Sequence, residues 1–120
     1  MMKMIEGIGV DIVEVSRFEK VRDKRAFLEQ VLTNEEIQNG KRMHDKNKYW
    51  ARLFVIKETL SKAFKIGLQH GSYWRHININ SDFVVTFSGY FKKIYDRKMK
   101  VFVAHSCSKK YAVSIALIHN

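Results

Sequence analysis

The stretch that decides the fold is "WARLFVIKETLSKAFK", residues Trp50 to Lys65. Apolar side chains recur in it at every third or fourth position, which is the spacing of one face of an α-helix. We therefore predict a helix over 50–65 with this apolar stripe in the core. The stripe consists of Leu53, Ile56, Leu60, Ala63 and Phe64. A second face of the same helix is polar, and its members are Glu58, Ser61, Lys62 and Lys65. Gly67 is the predicted stop.

Upstream of this helix, the stretch "IEGIGVDIVEV", Ile5 to Val15, is rich in Ile and Val and predicts a β-strand. Side chains alternate between the two faces of a strand, so Asp11 shares its face with Gly7, Gly9 and Val13. The opposite face consists of Ile8, Val10 and Ile12. An unpaired charge among small and apolar neighbours is costly. We therefore expect Asp11 to have a partner, either a base or a metal ion.

The segment between this strand and the long helix is predicted to be helical. The pattern indicates one helix over 16–32 with Ser16 as its N-cap, and then a short helix capped by Thr33 or Asn34. The polar residues 41–48 are predicted to form a loop.

The segment after the long helix is predicted to consist mostly of strands. We predict strands over 73–80 and 83–89 with a turn at Ser81–Asp82, and then a connection with one or two helical turns. Two further strands are expected to meet in a turn near Ser108–Lys109. A strand, then helices, then a run of strands indicates a single domain over 1–120 of the α+β class, with helices packed on a mainly antiparallel sheet.

The charge of the chain is unevenly distributed. The formal net charge is +10, but residues 1–45 carry nine acids and eight bases, a net of −1. Residues 46–120 carry three acids and fourteen bases, a net of +11. Such a basic surface attracts nucleic acid, anionic membranes, phosphorylated small molecules or acidic proteins, and composition does not choose among them.

Cysteine content and hydropathy restrict the protein class. The single cysteine, Cys107, excludes an internal disulfide framework and a cysteine-rich zinc site, and it fits a reducing cytosol. The opening residues "MMKMIEGIG" lack the apolar run of a signal peptide. No apolar stretch approaches the ~20 residues of a membrane helix. We therefore expect a soluble, cytoplasmic protein.

Asp11 and Glu58 form the first candidate site. Two carboxylates on separate rigid elements can hold one hard divalent cation, and Mg²⁺ usually takes one or two protein carboxylates together with water and substrate phosphate. Lys62 lies one helical turn after Glu58 and can meet the same phosphate as a point charge. The alternative from spacing alone is an ordinary Glu58–Lys62 helix pair, worth roughly 0.2–0.5 kcal/mol.

Basic residues at the start of the predicted helix over 16–32 form a second candidate, a docking face. They are Arg17, Lys20, Arg22, Lys24 and Arg25. Such a face suits an acidic partner helix or a nucleic-acid backbone. Because Glu14, Glu19 and Asp23 dilute the charge, a solvated helix face explains the pattern equally well.

Three weaker signals have simpler structural explanations. "GIG" at Gly7–Gly9 is not a dinucleotide fingerprint, because a strand rather than a helix follows it. Cys107 shares a strand face with His105, which is compatible with a thiol nucleophile, but a lone buried cysteine is the commoner case. Aromatic residues near Lys92 and Lys93 are compatible with stacking on RNA, although sheet core explains them better. These aromatic residues are Phe83, Phe87, Tyr90 and Phe91.

Three segments together resemble a known family. They are "GIGVDIVEVSRF" from Gly7, "KETLSKAFKIGL" from Lys57 and "KKYAVSIALI" from Lys109. In this order and spacing they resemble the holo-(acyl-carrier-protein) synthases, the short members of the 4′-phosphopantetheinyl transferase superfamily. The resemblance spans nearly the whole chain. The motifs G-x-D-I-x-x-x-x-R and K-E-x-x-x-K-x-x-x-x-G are specific together, whereas either alone would be modest support.

The resemblance implies a reaction and a role for each candidate residue. The 4′-phosphopantetheine arm of coenzyme A moves to a serine of an apo acyl carrier protein, and adenosine 3′,5′-bisphosphate is released. Mg²⁺ is expected on Asp11 and Glu58, and Lys62 is expected to stabilise phosphate charge. Glu58 is also the expected acceptor of the serine proton, directly or through a metal-bound water. The coenzyme A contacts implied by the resemblance are Ser61, Lys62, Lys65, Gly67 and Cys107.

The resemblance also implies protein partners. The basic helix that follows the first motif docks the acidic helix of the carrier protein, which assigns that role to Arg17, Lys20, Arg22, Lys24 and Arg25. Short family members form homotrimers with an active site at each subunit boundary, so we expect a trimer.

The chain departs from the family pattern at three positions. The usual G-T-G after the second motif reads Lys65-Ile66-Gly67. The position four residues before Lys57 is usually arginine, but here it is Leu53, with Arg52 adjacent. Cys107 occupies a position that is usually histidine. Two alternatives therefore stay open: a small basic RNA-binding module, and a non-catalytic homologue that only binds carrier protein.

Overall fold

The structure is a computed structural model that describes residues 4–65, 74–95 and 99–120. In chain order its strands and helices are β1 (Ile5–Glu14), α1 (Ser16–Glu19), α2 (Lys24–Val31), α3 (Asn34–Lys41), α4 (Lys46–Ala63), β2 (Ile77–Ile79), β3 (Val85–Phe87), α5 (Gly89–Ile94), β4 (Lys100–Cys107) and β5 (Tyr111–His119). The predicted α+β class with antiparallel sheets is confirmed.

The larger sheet has the strand order β1-β5-β4, with both neighbours of β5 antiparallel to it. The hairpin between β4 and β5 turns near Ser108, as predicted. Register places Asp11 of β1 opposite Ser114 of β5, and Ser114 opposite His105 of β4. Because residues opposite each other share a sheet face, these three side chains point towards the same side.

Helix α4 lies across β1 and β5 and forms the centre of the core. Leu53, Ile56, Leu60 and Ala63 of its predicted stripe are buried, and Phe64 is partly buried. The two faces of β1 are also as predicted, because Gly7, Gly9 and Val13 are buried whereas the opposite face is exposed.

The predicted single helix over 16–32 is wrong, because the chain forms two helices there with a break at residues 20–23. The side chain of Asp23 accepts a hydrogen bond from the backbone N–H of Ala26 and so caps a new helix. Ser16 is the first residue of α1 and Val15 takes the cap position, without a side-chain cap bond. The sequence contained this cap signal inside the predicted helix.

The next two helices begin at side-chain caps. Thr33 caps α3 in a capping box with Glu36, which confirms the first of the two predicted caps. Asp45 accepts from the N–H of Lys48 and starts α4 at Lys46, so much of the predicted loop over 41–48 is helical.

The smaller sheet pairs β2 with β3 around the predicted turn at Ser81–Asp82. Both strands are shorter than predicted, since each holds three residues. The predicted helical turns after them form α5. In the described part of the chain, no helix is long and apolar enough to span a membrane.

Candidate active site

Asp11, Glu58 and Lys62 meet where β1 crosses α4. Lys62 Nζ lies 3.6 Å from Asp11 Oδ1 and donates a hydrogen bond to the backbone carbonyl of Val10 at 3.3 Å. Asp11 Oδ1 also accepts from the backbone N–H of Ile12 at 2.9 Å. Glu58 hydrogen-bonds to Asp11. The strand and the helix therefore bring Asp11 together with Glu58 and Lys62, which follow it by about 50 positions in the sequence.

The two carboxyl groups ionise very differently. Burial raises the pKa of Glu58 to about 8, and the hydrogen bond and negative charge of Asp11 add to this effect. Burial opposes ionisation of Asp11 as well, but the hydrogen bonds from Glu58 and Ile12 and the charge of Lys62 outweigh it, so the pKa of Asp11 is lowered. Without a cation, an ionised Asp11 thus accepts a hydrogen bond from a protonated Glu58.

This donor set fits a hard cation that needs few protein ligands. Two carboxylates forced together are a site of excess negative charge, and a divalent ion would replace the shared proton. Among the described residues, no group of three or more His, Cys, Asp or Glu side chains could hold a metal. Mg²⁺ usually binds through one or two carboxylates and keeps several waters, so it matches a pair of ligands.

Buried hydrogen bonds fix the helix and the sheet at the level of this pair. Thr59, next to Glu58, donates its hydroxyl to the carbonyl of Ile56 at 2.8 Å, and its oxygen lies 3.0 Å from Ser114 Oγ. Ser114 is the register partner of Asp11. The acidic pair is therefore flanked by a direct link between α4 and β5.

The other motif residues near Lys62 occupy different environments. Ser61, predicted to share the polar face of the helix, is buried, and its hydroxyl has no hydrogen-bond partner among the described residues. Lys65 is exposed and has a left-handed backbone with φ of 62°, the conformation that favours glycine. Gly67 lies outside the described residues.

Cys107 belongs to a cluster around Arg52, between α4 and β4. Arg52 Nε donates to His105 Nδ1 at 2.7 Å, and Arg52 Nη1 lies 3.5 Å from Cys107 Sγ. The Arg52 guanidinium sits 4.6 Å from the centre of the Phe83 ring, which also contacts the His105 ring. A guanidinium is always protonated, so His105 must accept this bond as a neutral ring. Burial and the Arg52 charge both lower the pKa of His105, which agrees with a neutral ring.

Arg52 and Phe83 are the residues that sequence reasoning did not place in this cluster. Phe83 has a φ of 61°, which is rare for a bulky residue and identifies a strained turn. Within residues 4–65, 74–95 and 99–120, Arg52 forms no ion pair with a carboxylate. The only sequence signal was the position of Arg52 beside Leu53, which is buried in the core.

The five basic residues after the first motif do not form one helix face. Arg17 lies on α1, where its positive charge acts on Glu58, and Lys20 and Arg22 lie in the break. Lys24 and Arg25 begin α2, where Lys24 donates to Asn47 at 2.6 Å and Arg25 pairs with Glu29 at 3.0 Å. Among the described residues, Arg17, Lys20 and Arg22 form no ion pair, and they are exposed.

Comparison with known proteins identifies the class. Residues 7–116 match the model of the 4′-phosphopantetheinyl transferase superfamily, and the chain belongs to that superfamily. A holo-(acyl-carrier-protein) synthase of Fusobacterium nucleatum is 31% identical over 96% of this chain and 99% of its own. One of Pelagibacter ubique is 32% identical over 98% of each chain.

Solved structures agree with the sequence relatives. The crystal structure of a holo-(acyl-carrier-protein) synthase from Bacillus anthracis, in complex with coenzyme A (3′,5′-ADP), superposes with a TM-score of 0.77 at 29% identity. It covers 97% of this chain and 97% of its own. Within its superfamily the chain therefore groups with the holo-(acyl-carrier-protein) synthases, and it is a 4′-phosphopantetheinyl transferase.

Proposed function

We propose that this protein catalyses the Mg²⁺-dependent transfer of 4′-phosphopantetheine from coenzyme A to a serine of an apo acyl carrier protein. The products are holo carrier protein and adenosine 3′,5′-bisphosphate. The observation that carries this proposal is the carboxylate pair of Asp11 and Glu58 beside Lys62. Mg²⁺ held by the two carboxylates would neutralise charge on the pyrophosphate during transfer.

The chain's own residues supply proton transfer and charge stabilisation. The serine oxygen attacks the phosphorus that carries the pantetheine, and the bond to the adenosine 3′,5′-bisphosphate leaving group breaks. Glu58 accepts the serine proton, because a divalent cation bound beside Asp11 would keep the Glu58 carboxylate ionised and able to act as a base. Lys62 stabilises the charge that develops on the phosphate oxygens. The nucleophile comes from the partner, so the enzyme needs none of its own.

The Arg52 cluster supports a contact with the phosphates of coenzyme A. A guanidinium held by an aromatic ring and a neutral histidine, with no carboxylate partner in the described residues, is prepared to bind an anion. Cys107, the expected coenzyme A contact, lies beside it. Leu53 and Cys107 occupy positions that are usually arginine and histidine in the family pattern. The nearby Arg52 and His105 offer the charge and the hydrogen-bond donor that Leu53 and Cys107 lack. Lys65, exposed just after α4, remains a proposed contact for the same ligand.

The exposed cations near the first motif support docking of an acidic carrier protein. The positive charge of Arg17 acts on Glu58, and Lys20 and Arg22 are exposed in the break that follows α1. Lys24 and Arg25 are partly engaged within the chain, so we assign them a smaller share of the binding. Electrostatic attraction of this kind chiefly raises the association rate and falls with salt.

The free face of the larger sheet supports assembly into a homotrimer. Ile8, Val10 and Ile12 are each about 60% exposed, at 59%, 61% and 59%, and Phe102 on β4 is 55% exposed. Register makes this face continuous, because Leu117 of β5 lies between Ile8 and Phe102. A contiguous apolar sheet face of this kind is typical of a subunit interface. The number of three subunits rests on the family resemblance.

The test is intact-mass spectrometry of an apo acyl carrier protein incubated with this protein, coenzyme A and Mg²⁺. We expect a mass gain of one phosphopantetheine arm that disappears with EDTA. Asp11→Asn and Glu58→Gln should abolish the gain, whereas Glu29→Gln, an exposed acid away from the site, should leave it unchanged.

Two other outcomes would contradict the proposal. Binding of carrier protein that depends on Arg17 and Arg22, with no transfer to several carrier proteins, would indicate a non-catalytic homologue. Binding of RNA that falls steeply with salt and needs no metal, again with no transfer, would favour the RNA-binding alternative.

A further inference from the structure

Gly7 and Gly9 place the backbone of β1 directly against the backbone of α4. A Cβ atom added at Gly9 would lie 2.0 Å from the carbonyl oxygen of Thr59, and one at Gly7 would lie 1.9 Å from that of Ala63. Real Cβ atoms essentially never approach closer than 3.0 Å. Neither glycine has a positive φ, so space rather than backbone conformation demands glycine here. This contact gives the GIG stretch a physical role.

These contacts lie next to the residues of the site. Thr59 follows Glu58, and Ala63 follows Lys62, while Gly9 lies two positions before Asp11 on the same strand face. Asp11 is thus the first long side chain on that face after the glycines. Its carboxylate extends alongside α4 because the strand backbone already touches the helix.

We infer that Gly9, supported by Gly7, is a positioning residue that sets the separation of Asp11 from Glu58. The inference rests on the proposed function, in which these carboxylates share one cation. Relieving the contact from 2.0 Å to 3.0 Å requires a movement of about 1 Å between strand and helix. Functional groups must be held within about 0.5 Å, and Mg²⁺ demands near-ideal octahedral geometry. One added methyl group therefore exceeds the tolerance of the site.

The sheet restricts other ways to absorb this movement. β1 is paired along its length with β5, and β5 is tied to α4 by the contact of Ser114 with Thr59 at the level of Asp11. Displacing β1 outward therefore strains the link that flanks the acidic pair. The strain falls on the site rather than on a loop.

The test measures Mg²⁺ affinity by calorimetry on full-length wild type, Gly9→Ala, Asp11→Glu and Gly9→Ala/Asp11→Glu. We expect Gly9→Ala to weaken Mg²⁺ binding about 10-fold or more, the range seen when groups that orient metal ligands are lost. The longer Glu side chain should recover part of that loss in the double variant, although Asp11→Glu alone should weaken binding. A purely structural role predicts no such recovery.

Gly40→Ala is the matched control, because its added Cβ would lie 2.0 Å from Trp50 Nε1, in a contact outside the site. It should lower the melting temperature without changing Mg²⁺ affinity. Equal affinity of wild type and Gly9→Ala would overturn the inference. If Gly9→Ala does not fold, Gly7→Ala with the same Asp11→Glu pairing replaces it.

Crystal structures of wild type and variant keep this inference distinct from the proposed function. They should show the carboxyl carbons of Asp11 and Glu58 about 1 Å further apart in the variant, whether or not Mg²⁺ binds. An unchanged separation would refute the positioning role. A wild type that binds no Mg²⁺ while the separation still increases would refute the proposed metal site alone.

Discussion

Glu58 is the residue whose properties in the structure differ most from those that its sequence position predicts. By its position it belongs to an ordinary lysine-rich helix, and its spacing to Lys62 equally predicts a surface ion pair. Its pKa of about 8 results from burial first and from Asp11 second, and neither is visible in the spacing. A carboxyl pKa raised by burial and by a specific charged partner is a feature of functional sites.

Glu58 should make the metal-free protein less stable at alkaline pH. Its pKa is raised from 4.5 to about 8 on folding, so the folded state binds more protons between these values. The stabilisation that protonated Glu58 gives the folded state is complete below about pH 4.5, and it is lost as the pH rises through about 8. Glu58→Gln should therefore raise the melting temperature by a few degrees at pH 9 with EDTA, as measured by thermal unfolding.

The same variant should gain little at pH 5, where wild-type Glu58 is already protonated. Glu29→Gln is the control, since Glu29 lies outside this pair and should show no such pH-dependent difference. A Glu58→Gln gain that is equal at pH 5 and pH 9 would show that the carboxyl group is not perturbed as described.

Lys57, the neighbour of Glu58, is fully buried and forms a satisfied network. Its Nζ donates to Glu36 Oε1 at 2.6 Å and to the carbonyls of Val31 and Trp74 at 3.0 Å and 3.1 Å. Glu36 in turn accepts from the N–H of Ile79 at 2.7 Å. Burial lowers the pKa of Lys57 to about 8, against the attraction of Glu36. The motif lysine therefore joins four segments of the fold.

Lys57→Met should destabilise the protein by about 3–5 kcal/mol, because Glu36 would remain buried without its cation. The double variant Lys57→Met/Glu36→Met should recover much of that loss. Arg25→Ala, which breaks a pair with 89% and 53% exposed side chains, should cost less than about 0.5 kcal/mol. Urea unfolding measures all three, and a Lys57→Met cost as small as that of Arg25→Ala would contradict the argument.

Residue types suggested the acidic pair but not its surroundings. Asp11 was singled out because its strand neighbours are small and apolar, and Glu58 because it is the one acid among the lysines of the long helix. The burial of Ser61 could not be predicted, because helical spacing gives only an angle around the axis, whereas burial depends on which elements pack there. Arg52 could not be assigned, because its partners His105 and Phe83 come from distant strands and turns.

At the scale of elements, the hydrophobic period predicted which segments form helices and strands. N-cap residues decided where the helices begin. The period of α4 and the alternation of β1 were clear because each packs one face against the core. The break before α2 was missed because apolar spacing continues through it, while the Asp23 cap separates the helices. The early start of α4 has the same cause at Asp45.

The end of α4 carries backbone strain that the sequence makes testable. Lys65 has φ of 62°, in a place where the family pattern has glycine. A left-handed backbone costs a non-glycine residue roughly 1–2 kcal/mol, and glycine loses roughly 0.5–1 kcal/mol through its flexible unfolded state. Lys65→Gly should therefore stabilise the protein by about 0.5–1 kcal/mol in chemical unfolding.

Lys65→Ala is the matched control for this prediction. It removes the same exposed charge but keeps a Cβ, so it should bring no gain in the free energy of unfolding. If alanine stabilises the protein as much as glycine does, loss of the lysine charge rather than relief of the backbone would be the cause.

For the whole molecule, the charge asymmetry and the sheet give complementary information. Composition indicated a basic protein that binds polyanions, and the structure places exposed cations next to a carboxylate pair. The alternation of β1 predicted which residues share each face, but it could not say that Ile8, Val10 and Ile12 would stay uncovered. Covering a sheet face depends on elements, or copies of the chain, that the strand itself does not encode.

Val10→Lys tests the proposed trimer at the centre of this uncovered face. Burying a valine contributes roughly 1.5–3 kcal/mol, and a lysine there must be desolvated, so the subunit dissociation constant should rise about 100-fold. Light scattering should show a trimer for wild type and a monomer for the variant at micromolar concentration. Thr86→Lys, on the exposed side of β3, should remain a trimer.

Because the family resemblance places each active site at a subunit boundary, phosphopantetheine transfer should fall with the trimer population. A wild type that is already monomeric and fully active would contradict the proposed trimer.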